Sequence, residues 1–329
     1  MNILSNVGAA ALVFATTLCA SAQDKTYISF GSCPVGCTSY TWTAGIADLL
    51  NRNIDGIEAV AEGTKGYLDN ARLLGEGELQ VAMNTTAAAV DAYNGTGAFS
   101  SVEPGRALSW MSIAPTYMHI VTVGDTEYTG LQDLKGKRVG MGQPGGTGLL
   151  DNLALMDSLG FKDGDDYEAF KVRLGPMLDG LADGNIDVVL WDGSIPLGPV
   201  IKLATTHDVT LHPVSDTELT ALQSVAPAFF RVVLPAGLYD GVDTDTPVYG
   251  NGNAMTIDAN LSEDLVYEMT KVIMEHTDKL AQVHPALANI TKDTVLNGFA
   301  APLHPGALRY YREIGVTGIE EFAAKYPSN

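Results

Sequence analysis

Gly184-Asn185-Ile186-Asp187-Val188-Val189 ends a helical pattern at a glycine and opens a buried apolar strand. Gly77-Glu78-Leu79-Gln80-Val81-Ala82, in the first half of the chain, does the same in the same order. Ahead of the later stretch, Lys137-Arg138-Val139-Gly140-Met141 reads as a strand. Gly142-Gln143-Pro144-Gly145-Gly146-Thr147-Gly148 follows as a loop, and a helix runs from about Leu149 to Leu159. Ahead of the earlier one, Tyr27-Ile28-Ser29-Phe30 is a strand, and Gly31-Ser32-Cys33-Pro34-Val35-Gly36-Cys37-Thr38 is a loop. The helix from Ser39 to about Asn51 then sets Ile46, Leu49 and Leu50 on one face. Ile57–Val60, the loop Gly63-Thr64-Lys65-Gly66, a helix from about Tyr67 to Leu74 and the strand Leu79–Met83 complete that unit. Strands and helices alternating at these lengths imply parallel sheets. Ligands then sit beyond the carboxyl ends of the strands, where both glycine-rich loops fall. The expected fold class is α/β, with two lobes, each a mostly parallel sheet flanked by helices. Crossover strands near His119–Val123 and Arg231–Pro235 would form the hinge.

The chain has 329 residues, enough for about two domains. With 46% apolar and 18% charged residues it can bury a sizeable core, which excludes a disordered chain. Its 39 acidic against 19 basic side chains leave a net charge of −20, arguing against nucleic acid and anionic membranes as partners. A small anionic ligand stays compatible, because a local site can oppose the global field. Residues 1–22 carry no charged side chain and end in Ala20-Ser21-Ala22, the small-x-small pattern of a signal peptide cleaved after Ala22. The usual basic start is missing, and Leu18 before Cys19 argues against a lipid anchor. No later stretch approaches the ~20 apolar residues of a membrane span. Export leads to an oxidising compartment, where Cys33 and Cys37 are either a local disulfide or two quiet thiols. Cys19 leaves with the signal peptide, so each is the other's only partner. A four-residue spacing across a turn permits the bridge, and a disulfide is expected.

Several enzyme motifs almost form. The loop Gly31–Thr38 has phosphate-loop glycine spacing, but Cys37 stands where a lysine must reach the phosphates. Gly140-Met141-Gly142-Gln143-Pro144-Gly145 matches dinucleotide spacing, yet Asp163 to Asp166 fall in a polar turn rather than at the end of a second strand. The six histidines form no zinc-hydrolase pair, and no Gly-x-Ser-x-Gly elbow occurs. No catalyst, metal or cofactor is expected. What remains is a binding site at helix starts, where first-turn N–H groups receive a carboxylate or phosphate. Gly36, Thr38, Ser39, Gly145, Gly146 and Thr147 would supply backbone approach and hydroxyls. Tyr40, Trp191 and Phe229 are candidate walls or core residues, and Lys65 with Gly63 and Thr64 is a candidate cationic loop.

Four stretches in order along the mature chain carry a family resemblance. They are Leu68-Asp69-Asn70-Ala71-Arg72-Leu73-Leu74, Val90-Asp91-Ala92-Tyr93-Asn94-Gly95, Leu131–Val139 and Pro302-Leu303-His304-Pro305-Gly306-Ala307-Leu308-Arg309-Tyr310-Tyr311. The chain resembles the TAXI-type solute receptors of TRAP transporters. The resemblance implies a periplasmic, type II-like two-lobed receptor, monomeric. It would bind an amino acid such as glutamate, or a 2-oxoacid, and pass it to TRAP membrane subunits. Lobe 1 would take 23–123 and 230–329, lobe 2 124–229. Where the family has a glycine-rich run ending in Gly-Thr-Tyr, this chain has Gly36-Cys37-Thr38-Ser39-Tyr40; where it has Gln-Ser-Asp, Thr85-Thr86-Ala87; where it has Tyr-Pro-Glu, Ala114-Pro115-Thr116. The second loop has Lys65 in place of glycine. The expected site is therefore a carboxylate held by the first loop, including Ser32, and by Lys65, with Thr85 and Thr86 nearby. Gly145, Gly146, Thr147 and the turn Trp191-Asp192-Gly193-Ser194 would close from lobe 2, Asp192 taking a ligand amino group or capping a helix. The alternatives are the receptor of an ATP-driven importer for a sulfonate or similar anion and, third, an exported enzyme.

Overall fold

The structure is a computed structural model that describes residues 25–126 and 128–328; the expected signal peptide, 1–22, lies outside them. The first six strands are β1 (Thr26–Gly31), β2 (Ile57–Glu62), β3 (Val81–Thr85), β4 (Ala107–Pro115), β5 (Tyr117–Val123) and β6 (Arg138–Gly140). The rest are β7 (Glu168–Phe170), β8 (Val188–Gly193), β9 (Val209–Leu211), β10 (Phe230–Leu234), β11 (Thr246–Gly250) and β12 (Gly252–Asp258). One sheet has the order β2-β1-β3-β12-β4, the other β7-β6-β8-β5-β9, and β10 and β11 form an antiparallel ribbon. In each five-stranded sheet only one strand runs against the rest, β12 in the first and β5 in the second. The chain leaves the first sheet along β4 toward the cleft, so β5 must start at the cleft and run away from it. β12, which follows the return crossing, is reversed for the same reason.

Helices α1 (Thr38–Asn53), α2 (Tyr67–Glu76) and α3 (Thr86–Asn94) belong to the first sheet. Helices α4 (Thr147–Ser158), α5 (Leu174–Ala182), α6 (Gly198–Ala204) and α7 (Asp216–Val225) lie between the two crossings, with the second sheet, and α8 (Glu263–Glu275), α9 (Thr277–Val283), α10 (Pro305–Ile314) and α11 (Ile319–Lys325) complete the chain. No helix among the described residues is long and apolar enough to cross a membrane. Phe30, Ile46, Leu50, Met83, Trp110, Ile273 and Tyr311 fill one core; Met118, Val139, Leu178, Val188, Leu190 and Tyr249 fill the other. Each such side chain contributes about 1.5–3 kcal/mol by leaving water. The glycine stops behave as the sequence requires: Gly77 after α2 and Gly184 after α5 have φ of 83° and 70°, where a side chain is strained. This repeat of helix, left-handed glycine and strand produces two sheets of mostly parallel strands flanked by helices.

Two buried asparagines repeat as well. Asn70 Nδ2 donates to the carbonyls of Ser32 at 2.6 Å and Met83 at 2.8 Å, while Asn152 Nδ2 donates to those of Met141 and Leu190, both at 3.1 Å. Each clamps the carboxyl ends of two neighbouring strands and fixes the floor under a loop. The resemblance stretch around Asn70 thus has a structural cause.

The expected hinge strands are not hinges. Tyr117–Val123 pairs with β8 and β9 inside the second sheet, and Phe230–Leu234 pairs with β11 in a ribbon whose Leu234, Val248 and Tyr249 pack into the second core. Divisions at 123/124 and 229/230 would cut through that core. We place the crossings at Thr116 and Asn251 instead. There Thr116 N donates to Asn251 O at 2.7 Å and Asn251 N donates to Thr116 Oγ1 at 3.1 Å.

Candidate functional site

The carboxyl ends of both sheets face a cleft of about 220 Å³. Four sources line it. The loop after β6 and the start of α4 give Gly142, Gln143, Gly146, Thr147, Gly148 and Leu149; the end of β8 gives Trp191, Asp192, Gly193 and Ser194. The first sheet gives Tyr67 and Thr85, and the crossings give Thr116 and Asn253. A parallel strand must end here and a helix must begin here, so the site inherits exposed helix starts from topology alone. At α4 the N-cap is Gly146, which has no side chain to satisfy the first amides of the helix, and the residues of that first turn line the cleft. At α3 the N-cap Thr85 accepts from Ala88 N at 3.2 Å, which leaves its hydroxyl proton for a ligand.

Asp192 is half-buried in the wall. Its Oδ1 lies so near Gly148 that a Cβ there would come within 2.3 Å, which accounts for the glycine in the first turn of α4. Burial pushes its carboxyl up to about 6. One turn along α4, Asp151 is buried and accepts from Asn251 Nδ2 at 2.6 Å. Burial first, then the charge of Asp192, holds its carboxyl well above the usual carboxylate range. Among the described residues, no Lys, Arg or His lines the cleft.

Of the residues expected from sequence, Thr85, Gly146, Thr147, Trp191, Asp192, Gly193 and Ser194 meet in this cleft. Ser39, Thr86, Ser32 and Thr64 sit behind it. Ser39 bonds the hydroxyl of Tyr67 at 2.5 Å, and Tyr67 donates on to Asn253 Oδ1 at 3.1 Å. Thr86 Oγ1 accepts from Gly252 N at 2.8 Å, and Thr64 Oγ1 donates to Ser32 O at 2.7 Å. Gly36, Thr38, Gly63, Lys65 and Gly145 are exposed, Tyr40 is half-buried, and none of these lines the cleft. Two residues beyond Lys65, past Gly66 at φ 120°, Tyr67 lines the cleft. Phe229 lies in the wall of a neighbouring cavity, edge-on to Tyr249 with ring centroids 5.1 Å apart. Cys33 and Cys37 are paired, with Cα atoms 6.2 Å apart, and close the first loop on itself outside the cleft.

Sequence reading missed Tyr67, Thr116, Gly142, Gln143, Gly148, Leu149 and Asn253. Gly142, Gln143, Gly148 and Leu149 were in reach, since they flank Gly146 and Thr147 in the same loop and helix start. Thr116 ends the Ala114-Pro115-Thr116 stretch that stands for the family's Tyr-Pro-Glu, whereas Asn253 carries no local signal; both line the cleft because the crossings end there.

A sequence model described as the NMT1-like family matches residues 30–315. Among solved structures, the chain is similar to a Xanthomonas citri protein bound to ATP, at 12% identity and a TM-score of 0.55, over 92% of this chain and 99% of that one. It is also similar to a TctC solute binding protein from Polaromonas, at 15% identity and a TM-score of 0.51, over 80% of this chain and 88% of that one. At such identities the likeness is one of fold: the two-lobed architecture of periplasmic solute-binding proteins.

Proposed function

We propose that this chain, which belongs to the NMT1-like family, is a periplasmic receptor that holds an amino acid between its lobes and hands it to the membrane subunits of a TRAP-type transporter. Asp192 carries the reading: a carboxylate in the cleft wall, with no basic side chain among the lining residues to neutralise it. At neutral pH it is ionised, and a ligand ammonium is its fitting counter-ion. The uncapped amides of α4 and the hydroxyls of Thr85 and Thr147 suit the ligand's carboxylate. An amino acid fills both halves of this arrangement. A 2-oxoacid has nothing to offer Asp192, and a sulfonate meets its charge unfavourably.

Calorimetry with amino acids and their 2-oxoacid counterparts tests the ligand class. A charge-assisted hydrogen bond contributes about 1.5–3 kcal/mol, so Asp192→Asn should weaken amino-acid binding roughly 10- to 150-fold. Tighter binding of the 2-oxoacid, or an unchanged affinity in the variant, contradicts the assignment. The TRAP partner rests on the ordered sequence resemblance over most of the mature chain. Uptake in cells carrying the receptor with its membrane subunits should follow an ion gradient; uptake driven by ATP hydrolysis would place the chain with the importers instead.

A further inference from the structure

A second cavity adjoins the cleft at Thr85 and Thr147. Behind these two residues, which line both spaces, this cavity of about 360 Å³ runs between α3 and α4 under the segment 225–229. Its lining recurs at helical spacing, with Ala87, Asp91 and Asn94 on α3 and Thr147, Leu150, Asp151 and Ala154 on α4. Both helices begin at the cleft, so the space is a groove leading away from it. The seven steps from Thr147 to Ala154 along α4, at 1.5 Å each, give it a length of about 10 Å.

Its walls are largely apolar, through Leu150, Ala154 and Phe229, and among the described residues no Lys, Arg or His lines it. Yet one of its α4 residues is a carboxylate, Asp151, only 4% exposed. Oδ2 of Asp151 accepts from Asn251; Oδ1 receives no hydrogen bond among the described residues. On the opposite helix, Asp91 Oδ1 accepts from Thr96 Oγ1 at 2.9 Å. Oδ1 of Asp151 is not among the fully buried atoms left without a partner, so it is open to the groove, where a ligand's cation would find it.

We propose that the groove receives the side chain of the amino acid whose head occupies the cleft, and that this side chain is unbranched and ends in a cation that binds Asp151. The ligand class is the dibasic amino acids. This rests on the amino-acid reading of the cleft. Asp151 lies four residues beyond Thr147, about 6 Å along the axis. Five single bonds of about 1.5 Å, shortened by their zigzag, cover that distance, which is the chain from Cα to the terminal nitrogen of lysine. The methylenes meet Leu150 and Ala154, and Phe229 offers a ring to the cationic end. A net charge of −20 draws such a ligand toward the protein.

Calorimetry on the full mature chain with lysine, ornithine, norleucine, alanine and glutamate tests this. Norleucine keeps the methylene chain and lacks the terminal charge. Lysine should bind at least tenfold more tightly than norleucine, and Asp151→Asn should abolish that preference while norleucine affinity stays within about twofold. Because Asp151→Asn alters a buried contact, its melting temperature is measured alongside, and Ala154→Phe provides a second probe. Filling the groove should cost lysine and norleucine at least tenfold and leave alanine unaffected. If norleucine or glutamate matches lysine in the wild type, or Ala154→Phe leaves lysine binding intact, the groove is no cation site, and the amino-acid reading of the cleft survives. If none of the five binds, that reading falls and this proposal with it.

Discussion

The Asp192 carboxylate gives up water where it lies against the first turn of α4, and its folded pKa rises to about 6. Two opposite consequences follow for pH. A ligand ammonium needs Asp192 ionised, so amino-acid affinity should be flat above about pH 7 and fall by up to about tenfold per pH unit below about 6. The free protein moves the other way. The native state binds this proton more tightly than the unfolded chain, so the penalty on folding is absent below the unfolded value and is fully developed once pH has risen through about 6. Asp151 titrates with Asp192 and is pushed in the same direction, which broadens both profiles. Calorimetry from about pH 5 to about pH 8 on wild type and Asp192→Asn checks the first consequence, and the variant should lose most of the slope. Lys65 supplies the contrast. It is exposed and outside the cleft, so Lys65→Ala should leave affinity within about twofold, and a tenfold loss would return it to the site. Residues were legible where one loop ran straight into a helix, as at Gly146 and Thr147. Which of Lys65 and Tyr67 lines the cleft was not legible, because it depends on the turn at Gly66, and composition does not reveal that torsion.

Helix α10 explains, at the scale of an element, why the Pro302–Tyr311 stretch looks as it does. His304 caps the helix through Nδ1, which accepts from Gly306 N at 3.2 Å, and Pro305 occupies the first turn, where its missing N–H costs nothing. Gly306 lets α10 press against α8: a Cβ there would come within 2.2 Å of Glu263 O and 2.7 Å of Tyr267 N. Both are backbone atoms that cannot rotate aside. Gly306→Ala should therefore destabilise the protein by about 1–3 kcal/mol, read as a lower denaturation midpoint with an unchanged denaturant slope, while ligand affinity at permissive temperature holds. Elements of this kind were visible in sequence as strand, glycine and helix patterns. Their ends shifted by a few residues, as where β3 runs Val81–Thr85 rather than Leu79–Met83, because hydrogen-bonded pairing with β12 and β1 sets the limits and apolar periodicity does not.

At the scale of the whole molecule, the sheets communicate through one knot. The order of strands places both crossings side by side, and Thr116 and Asn251 bond to each other across them. Local patterns could not reveal this, since the two residues lie far apart in sequence and the Ala114-Pro115-Thr116 stretch says nothing of a pairing with Asn251. Gly250 allows the approach, because a Cβ there would come within 1.8 Å of Thr116 O. Asn251 then reaches α4 through Asp151, so the helix whose first turn faces the ligand is tied directly to the crossing. Asn251→Ala leaves Asp151 buried without its donor, a loss of about 1–3 kcal/mol. The sign with pH can be worked out. The Asn251 bond favours the ionised form of Asp151, and burial opposes it. Removing the bond raises the folded pKa of Asp151 further above its unfolded value. At acid pH, below the unfolded value, Asp151 is protonated in both states and the variant loses least; as pH rises through the folded value the deficit grows to its full size. Melting of wild type and Asn251→Ala over a pH series rising from about pH 4 should show a gap that widens as Asp151 ionises in the folded state. An equal gap throughout the series would mean that Asn251 acts on the crossing alone and that Asp151 does not link it to the ligand's helix.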